Sequence, residues 1–133
     1  MDLNILKYAS ETKNNKLLKK FDFYIKQKNS ICGDIIEISI KLDNKKIKEI
    51  GFNCKSCVFT QASASILSNY SINKSFFEII ELKNFVMRFF ENKEKVFPKK
   101  WSKFSKLINK KNFARKECLL LPLITMEKLS KKV

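Results

Sequence analysis

The chain has 133 residues and carries 28 Lys plus Arg against 13 Asp plus Glu, a formal charge of +15, in a length that suits one domain, residues 1–133, with a real hydrophobic core. Only Arg88 and Arg115 are arginine, and the lysines come with abundant Asn, Ile and Phe; AT-rich coding produces this joint excess, so the charge marks a solvated, anion-sticky surface rather than a groove reader built on planar arginine forks. The absence of histidine excludes a His general base, a Ser-His-Asp triad and His-ligated zinc, and Gly33 and Gly51, the only glycines, exclude a Rossmann fingerprint and a P-loop.

Leu3, Ile5 and Leu6 predict a short helix over residues 3–9, followed by a polar, lysine-rich loop or frayed helix over 10–20. Phe21, Phe23 and Ile25 alternate with polar neighbours and predict a strand. Ile36, Ile38, Ile40 and Leu42 alternate through Asp34–Leu42, the clearest strand of the chain. Asp43-Asn44 is read as a two-residue hairpin turn, because both residues tolerate positive φ. A third strand over 45–53 carries Ile47, Ile50 and Phe52, and the change of phase between Ile47 and Ile50 predicts a bulge.

From Cys57 the pattern turns helical. Cys57–Tyr70 contains Ala62-Ser63-Ala64-Ser65, small residues that let a helix lie close to a sheet. Ser75-Phe76-Phe77-Glu78 matches a capping box and opens a helix running to about Glu91. Pro98 breaks the chain, Trp101–Lys111 reads as a further helix, and Cys118–Lys131 as a last one in which Pro122 belongs in the first turn. Strands followed by helices imply an α+β domain, a small antiparallel sheet of about three strands packed against C-terminal helices. The longest apolar run, Leu119–Met126, is interrupted and falls far short of the ~20 residues of a membrane helix. Met1–Ser10 has no basic segment followed by an apolar one, so no signal peptide is read, a cytoplasmic location is expected, and the four cysteines are expected to be thiols or ligands rather than disulfides.

Cys32, Asp34, Cys57 and Cys118 form the informative constellation. Cys32 and Asp34 stand two apart at the entry to the best strand and can share a face. Cys57 lies at a helix start, where backbone N–H groups and the dipole favour a thiolate, and Cys118 also precedes a helix. Three thiolates and one carboxylate make a four-coordinate set that zinc or iron accepts. The hard carboxylate among soft sulfurs suits a site that gives up what it holds. Cys54 completes a C-x-x-C with Cys57, but no second such pair exists, and alternation with Phe52 points Cys54 toward the core as a structural residue.

Ser30-Ile31-Cys32-Gly33-Asp34, the strands after it, and the run from Cys57 through Ala62-Ser63-Ala64-Ser65 to Leu67 resemble the U-type iron–sulfur assembly family, which comprises IscU, SufU and the N-terminal domain of NifU. Arg115-Lys116-Glu117-Cys118 and the leucines up to Pro122 are similar to that family's third cysteine and following helix. The resemblance covers about residues 20–131. It implies a scaffold rather than an enzyme, with Cys32, Asp34, Cys57 and Cys118 as ligands of iron or an iron–sulfur cluster, a cysteine desulfurase as sulfur source, and recipient apo-proteins or other assembly proteins as partners. Glu117 stands where the IscU branch has histidine, and Lys111–Arg115 replaces that branch's chaperone motif. The long interval from Cys57 to Cys118 and the basic residue three before Cys118 resemble the SufU branch. That branch implies the alternative of zinc and sulfur transfer, with Cys32 as the sulfur acceptor.

Residues 99–116 contain Lys99, Lys100, Lys103, Lys106, Lys110, Lys111, Arg115 and Lys116 and no acid. The run reads as a solvated face or as a docking patch for an acidic partner beside Cys118. A third reading, a basic nucleic-acid-binding module with Trp101, Phe104 and Phe113 as stacking residues, rests on charge alone, and nucleic acid is not expected as a partner.

Overall fold

Three strands of alternating isoleucine and polar residues pair into one antiparallel sheet, β1 (Phe23–Lys28), β2 (Ile35–Asp43) and β3 (Lys46–Lys55), in that order. The computed structural model describes residues 3–31, 33–93 and 96–133. Ile36, Ile38 and Ile40 of β2 are buried on one face, with Ile25 and Phe52 flanking Ile38 in register. Among the described residues four α-helices accompany the sheet: α1 (Leu3–Ala9), α2 (Val58–Ser71), α3 (Phe76–Phe90) and α4 (Lys116–Ser130). α4 lies on β1 and β2, α2 lies on β3, and α2 also contacts both α1 and α4. Among the described residues no helix is long and apolar enough to cross a membrane.

Around Ser39 and Gly51 the sheet's outer face is covered by loop backbone, as is the free edge of β3 at Phe52 and Ile47. Residues 14–18 cross beside Gly51: Leu18 N donates to Ser39 Oγ at 2.9 Å, and Phe52 N donates to the Asn14 carbonyl at 3.0 Å. A Cβ on Gly51 would lie 2.2 Å from the Lys16 carbonyl oxygen, so this strand position accepts only glycine. Further along the edge, Ile47 N bonds the Lys74 carbonyl and Asn73 N bonds the Ile47 carbonyl, closing an edge that would otherwise recruit another strand.

The bulge falls where the phase change predicts it: Lys41 pairs with Glu49 and Leu42 with Ile47, leaving Lys48 as the extra residue. The hairpin turn is one residue later than the sequence suggests. Asp43 pairs with Lys46, and the turn residues are Asn44 and Lys45, with φ of 51° and 63°. A two-residue turn of this hand needs positive φ at both central positions, and the register places Lys45 there. α2 and α3 are each followed by an asparagine in the same left-handed region, Asn73 (φ 66°) and Asn92 (φ 64°), the role glycine fills in most proteins. The capping box of α3 is formed, Ser75 Oγ accepting from Glu78 N and Glu78 accepting from Ser75 N.

Three further expectations are corrected. The helix expected over Trp101–Lys111 is instead a pair of 3₁₀ segments, Lys99–Lys106 and Lys110–Arg115. Trp101, Phe104 and Leu107, all buried, recur every third residue, a spacing that eclipses on a 3₁₀ turn. Pro122 lies not in the first turn of α4 but in its second, because the helix starts at Lys116. Strand β1 also begins later than Phe21, which is exposed.

Gly51→Ala is expected to destabilise the fold by about 1–3 kcal/mol, because the nearest obstacle is backbone rather than a movable side chain. Urea denaturation of the purified protein measures this loss.

Candidate metal centre

The loop between β1 and β2 is closed by Asn29. Its N–H donates to the Asp34 carbonyl and its carbonyl accepts from Gly33 N, both at 2.8 Å, and its side-chain oxygen accepts from Ile31 N at 2.8 Å. Gly33 takes φ 76°, which turns the chain into β2 and sets Asp34 inward, where it is only 8 % exposed. Cys57 caps α2 with extended backbone and places its thiol at the helix N-terminus without making a side-chain capping bond. Cys118 sits in the first turn of α4 and is buried.

One ligand atom from each of Asp34, Cys57 and Cys118 lies within 4.8 Å of the other two. Two thiolates on a tetrahedral zinc ion stand about 3.8 Å apart, so modest side-chain rotation brings these atoms onto one ion. Two sulfurs and an oxygen in a largely buried corner match zinc or iron rather than calcium or magnesium, which demand oxygen shells. Cys32, the fourth residue read from the sequence, lies outside the described residues.

At the centre of this group is a residue that pattern reading passes over. Thr60 is fully buried, and its Oγ1 lies 2.9 Å from Asp34 Oδ2, 3.0 Å from the Cys118 carbonyl oxygen and 3.8 Å from Cys57 Sγ. The only advance signal is its place one turn after Cys57, at i+3 on the same helix face. Pro122 explains the carbonyl's part. Proline has no N–H, so in α4 the Cys118 carbonyl lacks the donor that position 122 would ordinarily provide. Ser63 continues the seam, donating to the Leu119 carbonyl at 2.7 Å. At the same end of the helix pair, the Arg115 guanidinium lies over the Phe59 ring at 5.4 Å.

Cys54 is not one of the three residues whose ligand atoms meet, and it packs partly buried against the core, as the sequence reading expects. Burial is the main cause that pushes its thiol up from 9.0 to about 12, with Ser56 opposing and the nearby Asp34 and Cys57 adding to the rise. No disulfide joins the described cysteines. The described cations of residues 99–116 face solvent wholly or in part. Lys100 is paired with Glu78 at 3.1 Å, and Lys116 lies over Phe113 at 4.8 Å. Trp101 and Phe104 are core residues, which leaves Phe113 alone of the three rings at the surface.

The comparisons with known proteins converge on one family. The family model described as the NifU-like N-terminal domain matches residues 2–100, a span that contains Cys32, Asp34 and Cys57 and stops before Cys118. The iron–sulfur cluster assembly scaffold protein IscU of Streptococcus pyogenes is 37% identical over 54 residues, 41% of this chain and 34% of that protein. Its counterpart in Thermotoga maritima is 33% identical over 78 residues, 59% of this chain and 55% of that protein. The matches thus span about a third and about half of these curated relatives. Among solved structures, the N-terminal part of a NifU-like protein from Brucella abortus superposes with a TM-score of 0.86 at 16% identity, covering 97% of this chain and 90% of that one, a likeness of fold. A protein from Fervidobacterium islandicum, described as an iron–sulfur cluster assembly scaffold for the SUF system, superposes with a TM-score of 0.84 at 25% identity, covering 95% of this chain and 93% of that one. With the family model matched over most of the chain and the same fold found in these structures, the chain belongs to the NifU-like N-terminal domain family.

Proposed function

We propose that this protein is an iron–sulfur assembly scaffold whose whole chain, residues 1–133, works as one unit. It holds iron or a labile cluster as cargo on Cys32, Asp34, Cys57 and Cys118 and passes it to apo-proteins. The observation that carries this reading is the meeting of Asp34, Cys57 and Cys118 within 4.8 Å in a chain of this family. Each residue has a distinct part. Cys57 and Cys118 supply soft, strongly held sulfur ligands. Asp34 supplies a hard oxygen that iron in a sulfur-rich set holds less firmly, which favours release. Cys32, two residues before Asp34, brings the third thiolate. Sulfur comes from a cysteine desulfurase, and the cation-rich stretch up to Cys118 gives an acidic partner a surface to dock on beside the site.

A second reading keeps the ligands and changes the work. A zinc ion suits the same sulfur-rich set, and Cys32 then accepts persulfide sulfur and relays it. The basic Arg115, placed over Phe59 at the mouth of the helix pair, favours this reading. Metal analysis of protein as isolated separates the two: stoichiometric zinc supports relay, and its absence supports the scaffold.

Anaerobic reconstitution with ferrous iron and sulfide is expected to give visible sulfur-to-iron absorption that Cys57→Ser abolishes; a colourless product from the parent protein overturns the scaffold reading. Asp34→Ala is expected to lengthen the cluster's lifetime, by about threefold or more, because the weakest ligand is gone; equal lifetimes reject a labilising Asp34. Cys54→Ser is expected to leave metal content unchanged. Folding raises the Cys54 pKa, so the thiol persists at pH 8 and gains nucleophilicity only as the pH climbs from 9.0 toward about 12. Alkylation of Cys54 at pH 8, followed by peptide mass spectrometry, is expected to be slower in the folded chain than in the urea-unfolded chain by about a hundredfold.

A further inference from the structure

The Thr60 hydroxyl has one proton and two oxygen acceptors in reach, Asp34 Oδ2 at 2.9 Å and the Cys118 carbonyl at 3.0 Å, with Cys57 Sγ farther off at 3.8 Å. A carboxylate and a carbonyl only accept, so the hydroxyl donates to one of them at a time. Thr60 is fully buried, which keeps water from the proton, and the two oxygens are its nearer partners. We propose that Thr60 is a positioning residue that sets how tightly Asp34 binds metal, its proton turning from the Asp34 carboxylate to the Cys118 carbonyl, which Pro122 leaves without its helix donor. The inference rests on the scaffold reading of the site and adds its control.

The physical argument is a competition for Asp34 Oδ2. With the proton on Asp34, the oxygen's lone pairs are partly engaged and a metal must displace or weaken that bond. With the proton on the Cys118 carbonyl, the carboxylate is open to the ion. The turn is a rotation of one hydroxyl between acceptors at nearly equal distance, so it moves no backbone. In an ordinary helix the Cys118 carbonyl would already hold the N–H of position 122 and would draw the proton less strongly. Proline at that position therefore favours the open carboxylate, and Thr60 and Pro122 act on Asp34 with opposite signs.

The test uses cobalt(II) as the probe under anaerobic conditions, read by its thiolate charge-transfer absorption. Thr60→Val removes the competing donor and is expected to tighten cobalt binding by about tenfold. Thr60→Ser restores the hydroxyl and the parent affinity. Pro122→Ala supplies an N–H to the Cys118 carbonyl, keeps the proton on Asp34, and is expected to weaken binding by about threefold. In an Asp34→Ala background both effects vanish, whereas a packing defect would persist there. Weaker or unchanged binding in Thr60→Val, or effects that survive Asp34→Ala, overturn the inference. If Thr60→Val does not fold, the sign of Pro122→Ala and its loss in the Asp34→Ala background decide the matter. A parent protein that binds no cobalt, or binds it equally after Cys57→Ser, overturns the site reading itself, and the inference with it.

Discussion

A single buried hydroxyl joins three parts of the chain. Thr60 on α2 touches the carboxylate that leads into β2 and a carbonyl in the first turn of α4. A proline inside a helix costs about 3 kcal/mol or more when its lost bond and steric clash go uncompensated. Here α2 answers part of that loss with a side-chain donor, and Ser63 bonds the next carbonyl. Thr60 and Ser63, small and buried, stand one turn apart on the face of α2 whose hydroxyls reach these α4 carbonyls. Remove the close approach of α2 to α4 and the ligand atoms of Cys57 and Cys118 separate, so helix packing and site geometry are one constraint.

The rest of the fold serves to hold the two helices and the β1–β2 loop in place. The isoleucine face of β2 gives α4 a flat apolar bed. Backbone from residues 14–18 and 73–74 covers the outer edge of β3, which keeps that edge from pairing with other chains. With so few glycines, the left-handed positions fall to Asn44, Lys45, Asn73 and Asn92. Asparagine tolerates that region better than other side chains because its short amide bonds its own backbone.

Much of the architecture is legible in the sequence because the signals are local. Alternating isoleucines, a Ser-x-x-Glu capping box and a phase change at Ile47 and Ile50 each report on a few neighbouring residues, and each corresponds to a feature of the fold. The turn register and the 3₁₀ segments were less legible. The first is decided by cross-strand pairing, and the second by how Trp101, Phe104 and Leu107 meet the core. Of the residues that meet in the candidate centre, Asp34, Cys57 and Cys118 could be singled out because their chemistry is distinctive. Thr60 could not, since a threonine in a helix says nothing until its partners arrive from sequence positions far away. Pro122 likewise reads as a helix boundary until the neighbouring helix is seen to answer it.

The donor atoms come from residues early, midway and late in the chain, and the last of them sits on the final helix. Contacts so distant in sequence carry the largest loop-closure cost and tend to form late. During synthesis the sheet and α2 can be complete while α4 is still being made. The three-donor corner therefore comes into being only once α4 has formed. Fraying of α4 alone would take it apart again with the sheet still paired. Formation of α4 and the meeting of Cys118 with Asp34 and Cys57 are, in this topology, the same event.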